Sequence, residues 1–116
     1  MLDIAVFLSD LKTALQLRTE LTFKQAGILD DNGKLTTTAI ENSRKISLAS
    51  GVIENSKVIS ILTKDSSKIE DWNKYTTKSV VMPNGQSMQI HFYMNTKTGK
   101  IDYETKDFKV KGVVEP

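Results

Sequence analysis

Ser87-Met88-Gln89-Ile90-His91-Phe92-Tyr93-Met94 alternates between apolar and polar residues without a break. Successive side chains of a strand point to opposite faces. Met88, Ile90, Phe92 and Met94 therefore form one face, and Ser87, Gln89, His91 and Tyr93 the other. The apolar face reads as core. The polar face carries the single histidine of the chain, with an amide and a phenol two residues to either side. All three groups can donate or accept hydrogen bonds, and the imidazole transfers protons near neutral pH.

The turns on either side of this strand decide what lies beside His91. Before it stands Pro83-Asn84-Gly85. A three-residue loop, a type I turn with Gly85 as the bulge, pairs Met82 with Gln86, Ser79 with Gln89 and Thr77 with His91. A two-residue Asn84-Gly85 turn would instead bring Lys78 opposite His91. Pro83 suits the second position of a type I turn, and the first register sends Val80 and Met82 to the core face. After the strand, Asn95-Thr96-Lys97-Thr98-Gly99 is a second turn. A four-residue loop pairs Asn95 with Lys100, Tyr93 with Asp102 and His91 with Glu104, and turns Ile101 and Tyr103 inward. The apolar parity changes between Tyr103 and Phe108, which predicts a bulge or break near Lys106-Asp107, with Asp107 to Val114 continuing the strand or forming a fourth. Asp107, Lys109 and Lys111 then join the polar face.

The preceding half reads as helical. Asp3 caps a helix whose stripe of Ile4, Phe7, Leu8, Leu11, Ala14 and Leu15 runs on through Leu17 and Leu21 towards Gly27. Asp30-Asp31-Asn32-Gly33 is a turn, since the distal glutamate of a calcium loop is missing. Thr38 with Glu41 forms a capping box that opens a second helix through Arg44 and Ile46, ending by Gly51. Ser56 to Leu62 reads as a short helix capped by Ser56 or a buried strand, with length and the cap favouring helix. Ser67 with Glu70 makes another box before Trp72, which plugs the seam to the sheet. The expected fold is α+β, N-terminal helices packed on a C-terminal antiparallel β-meander of about four strands. It forms a single domain over residues 1–116, mainly helical over 1–70 and β over 71–116.

Composition narrows the chemistry. The chain has 116 residues, 39% hydrophobic and 26% charged, the balance of a globular domain. No apolar run spans a membrane, so the isolated domain is not expected to insert. With no cysteine there is no thiolate nucleophile and no zinc site of the usual kind. Gly-rich phosphate loops, nucleophile elbows and metal-ligand clusters are missing, and one histidine excludes a two-histidine pair. Net charge is +2, but residues 72–116 hold seven lysines against four acids. That excess suits an anionic partner.

Metal-free RNA cleavage needs a base for the 2′-hydroxyl, an acid for the leaving oxygen and cations for the charge that builds on phosphorus. The polar face contains each type. The same residues also have a plainer reading: a solvated strand histidine, Gln89 and Tyr93 as good strand formers, and Lys109 and Lys111 as a charged edge that discourages aggregation.

Several stretches together carry a resemblance: Asp71-Trp72-Asn73-Lys74-Tyr75-Thr76-Thr77, Pro83-Asn84-Gly85, Gln89 to Asn95, Thr98-Gly99 and Asp107-Phe108-Lys109-Val110-Lys111. Over about residues 65–113 this pattern resembles the C-terminal toxin modules of bacterial polymorphic toxins, including contact-dependent growth-inhibition effectors. Such modules often have the barnase–EndoU–colicin–RelE nuclease fold. The resemblance implies a ribonuclease, often acting on tRNA or rRNA, blocked by a cognate immunity protein and in some cases needing a host protein factor. It also implies secretion or delivery from the cell surface as part of a larger effector, and action in the target-cell cytoplasm. The motif points to Lys74, Thr76 or Thr77, His91 and Tyr93. Many ribonucleases of this fold place an arginine near the scissile phosphate, whereas Arg18 and Arg44 both fall in the expected helical half.

The expected site follows. His91 is general acid or base, oriented by Glu104 or Thr77. Lys74 and Lys109 stabilise the phosphate, Tyr93 assists, and Gln89, Lys78 and Thr76 also contact substrate, with no metal or cofactor. The alternative is a non-enzymatic interaction domain, such as an immunity or adaptor protein, using the polar face.

Overall fold

The computed structural model describes residues 17–48 and 51–111, the last six by backbone alone. Its elements are helix α1, described over 17–25, then α2 (Thr37–Glu41), β1 (Arg44–Lys45) and α3 (Ser56–Leu62). A 3-10 turn (Ile69–Asp71) leads into β2 (Trp72–Thr76), β3 (Val80–Val81), β4 (Ser87–Asn95) and β5 (Ile101–Lys111). The α+β class and antiparallel sheet are as expected. The Asp3 cap, the stripe up to Leu15 and the strand end at Val114 lie outside the described residues.

All strand pairs are antiparallel, in the order β1-β2-β4, with β5 also on β4. β5 follows one edge of β4 along nearly its whole length, so β2 and β3 share the other edge. β2 and β3 are one strand broken at residues 77–79. This replaces the unbroken pairing from Met82 to Thr77 that turn counting predicts. Between them the β3–β4 hairpin forms as predicted. Met82 N–H donates to Gln86 O at 2.7 Å, Gly85 N–H donates to Met82 O at 2.9 Å, and Gly85 takes φ +85°. That is the type I turn with its left-handed third residue.

The apolar face of β4 behaves as its alternation requires. Ile90 and Phe92 are fully buried with Phe23, Leu29, Leu35, Ala39 and Met82, and Tyr75, Met88, Met94, Ile101 and Tyr103 pack against them. Each fully buried side chain of this size contributes roughly 1.5–3 kcal/mol. α1, α2 and the turn between them cover this face, and Tyr103 fastens the turn because its hydroxyl accepts the Leu35 amide at 3.1 Å.

The opposite face is covered in part by a second core. Trp72, Ile53 and Leu62 form it with Leu48, Val58, Ile59, Ile69 and Tyr93, so α3 lies on the side of the sheet that carries His91. Trp72 fills the expected seam, its indole N–H donating to Ser67 Oγ at 2.9 Å. The polar end around His91 extends beyond this patch.

Three expected helix caps move. Thr36, not Thr38, caps α2 by accepting the Ala39 amide, and α2 stops at Asn42 instead of running through Arg44 and Ile46. Asn42 and Ser43 compete for backbone hydrogen bonds and end helices readily; Ser43 Oγ donates to Ala39 O at 2.7 Å. Asn55, not Ser56, caps α3 by accepting two amides. Ser67 opens no α-helix; a 3-10 turn without a side-chain cap follows it.

Candidate functional site

His91 lies mid-way along β4 and is flanked on both sides by irregular strands. On one side, three steps along β4 from Met88 to His91 face four steps on the other edge, from Val80 to Thr76. The extra residue sits at 77–79, where the Thr77 hydroxyl accepts the Ile90 amide at 2.9 Å while the Thr77 amide donates to Ile90 O. A side-chain oxygen thus takes a backbone acceptor's place. The register slips by one, and Thr76, not Thr77 or Lys78, is the partner of His91. Ser79 still reaches Gln89, as expected, donating to its Oε1 at 3.2 Å.

On the other side, two steps from Tyr93 to His91 face five on β5, from Asp102 to Asp107. The expected pairs Asn95–Lys100 and Tyr93–Asp102 form. Beyond them the Asp102 carboxylate captures both the amide (2.8 Å) and the hydroxyl of Thr105 and folds residues 103–106 into a wide bulge. The bulge begins earlier and is larger than the parity change predicts. Glu104 is therefore not opposite His91. It pairs with Lys64 just past α3, holding that ammonium's pKa above its usual value, and Asp107 is the register partner of His91.

These slips assemble an unforeseen row. Arg44 pairs with Thr76, Thr76 with His91, and His91 with Asp107. Directly opposed residues share a face, so the row runs across four strands on the polar side. The next residues of the β1 segment confirm the parity: Ile46 N–H donates to Lys74 O at 2.8 Å, and Leu48 packs on Trp72. Arg44 is exposed, two strand spacings from His91, roughly 10 Å. The sequence signal was the alternation Arg44-Lys45-Ile46-Ser47-Leu48 after two weak helix formers, too short to stand against the helical run before it.

The other expected residues divide. Lys74 is opposite Tyr93, its ammonium 5.8 Å from the ring centroid, and Lys109 is the register partner of Gln89. Tyr93 packs beside the α3 core, so much of its ring is structural. Lys78 is exposed in the break, whereas Thr76 and Thr77 are buried. Gln89 Nε2 lies 2.9 Å from His91 Nε2, and His91 Nδ1 is buried.

The polar end of the sheet thus offers an imidazole, a guanidinium and an amide, with lysines and a carboxylate at adjacent register positions. Among the described residues no cluster of three His, Cys, Asp or Glu is placed to hold a metal ion, and no helix is long and apolar enough to cross a membrane. Among the described residues, two cavities lie away from this end of the sheet. One of ≈ 320 Å³ sits between Arg18 of α1 and the β3–β4 hairpin, and one of ≈ 230 Å³ beside Lys45 and Asn73. Comparison of the chain with protein-family models, with curated proteins and with solved structures gave no match.

Proposed function

We infer that this chain is a ribonuclease domain of the bacterial toxin type, cleaving RNA by metal-independent transesterification at the His91 end of the sheet. The observation that carries the reading is the Arg44–Thr76–His91–Asp107 row, with a bulge on each side of His91. Bulges gather beside active sites because they re-aim side chains. In this reading His91 takes the 2′-hydroxyl proton and, once charged, returns one to the leaving oxygen. Arg44, with Lys74 and Lys109, meets the charge that builds on the phosphate, as a planar fork of donors does best. Asp107 replaces Glu104 as the carboxylate at the histidine's register position. A cognate immunity protein would act by covering this surface, and a tRNA or rRNA target and delivery as part of a larger effector belong to the same proposal.

The test is incubation of the purified chain with total RNA in EDTA. Expected are discrete fragments ending in 2′,3′-cyclic phosphate, and at least a 10²-fold slower reaction for His91→Ala. An intact RNA pool, cleavage abolished by EDTA, or a fully active His91→Ala variant would each sink the reading.

A further inference from the structure

Ser79, Gln89 and His91 form a connected line on the polar face. Ser79 Oγ donates to Gln89 Oε1 at 3.2 Å, which leaves the amide nitrogen directed at His91 Nε2, 2.9 Å away. An amide nitrogen only donates, so Nε2 accepts. A neutral imidazole carries a single N–H, which then belongs on Nδ1, the buried nitrogen. We propose that Ser79 and Gln89 are positioning residues that hold neutral His91 as the Nδ1–H tautomer and invert together when the ring gains a proton.

Imidazolium donates from both nitrogens. Half a turn of the Gln89 amide presents Oε1 to the new Nε2–H. The amide nitrogen then donates to Ser79 Oγ, and the serine hydroxyl changes from donor to acceptor. Nε2 keeps a hydrogen-bond partner in both states, with only an amide and a hydroxyl rotating. The charged groups brought to this face are Arg44 on β1, Lys74 on β2, and Asp102, Asp107 and Lys109 on β5. The orientation of Gln89 sets which nitrogen holds the proton. Resting on the ribonuclease reading, one further step follows: with Nδ1 buried, a 2′-hydroxyl must reach Nε2 and displace the Gln89 amide from it.

Because the chain has one histidine, long-range 1H–15N NMR of the labelled full chain reports its tautomer without ambiguity, and with no RNA present. Above its titration the wild-type ring is expected as Nδ1–H. Ser79→Ala moves population to the Nε2–H form, and Ser79→Thr, which keeps the hydroxyl, restores it. Gln89→Glu, which only accepts and carries charge, raises the titration midpoint by about one unit or more. A wild-type ring in the Nε2–H form overturns the proposal, as does a Ser79→Ala ring with the wild-type tautomer or an unmoved midpoint in Gln89→Glu. None of these outcomes depends on whether RNA is cleaved.

Discussion

At the scale of the residue, Thr77 has the largest effect for its size. Its hydroxyl takes the Ile90 amide in the middle of the buried sheet, and Thr77 itself is only 3% exposed. Thr77→Val keeps the shape and removes the acceptor. The orphaned amide should cost roughly 1–3 kcal/mol, read as a lower denaturant midpoint at unchanged slope with faster exchange of the Ile90 amide. A loss below about 0.5 kcal/mol would show that the break in β2–β3 does not depend on this bond. Asp102 acts in the same way on β5, where capture of Thr105 moves Asp107 into the place that simple turn counting gives to Glu104. These two side-chain-to-backbone bonds caused the register errors. Neither is visible in hydrophobic parity, because Thr and Asp make such bonds in some contexts and not in others.

At the scale of the element, the parts legible in the sequence were those written in periodicity. β4 with both faces, the Pro83–Gly85 hairpin, the Asn95–Gly99 turn and the helix ending near Gly27 follow from alternation and turn chemistry. β1 was missed because two residues of edge strand carry almost no pattern and depend on pairing with Thr76 and Tyr75. α3 was foreseen as a helix, but its position on the His91 side was not, since periodicity does not say which face of a sheet a helix covers. What ties α3 there can be tested by pH. Just beyond α3, Asp65 accepts from Lys100 at 2.8 Å, and this bond, helped by Ser67, holds its carboxyl far below the usual aspartate value. A depressed carboxylate stabilises above its unfolded-state pKa, near 4, and loses that contribution as pH falls through the folded value. Asp65→Asn should therefore lower Tm at pH 6, and the gap to wild type should close as pH drops below 4. A gap unchanged from pH 6 to pH 2 would contradict this. The pair is exposed, so the effect is small.

At the scale of the whole molecule, the sheet is divided by what covers it. One face is covered by α1, α2 and their turn, and the other is covered at the Trp72 end by the core that α3 joins. Net charge of +2 alone gives little attraction for RNA. On the ribonuclease proposal, discrimination comes from the row that four strands bring together at His91. The two arginines separate this local account from general basicity, because Arg44 is in the row and Arg18 lines the cavity by the β3–β4 hairpin. The most direct measurement is the rate of RNA cleavage in EDTA by wild type, Arg44→Ala and Arg18→Ala at equal concentration and salt. Loss of Arg44 should slow cleavage about 10²-fold or more, while Arg18→Ala stays within about twofold. Equal rates for all three, or equal losses for both variants, would contradict the site at Arg44 and His91.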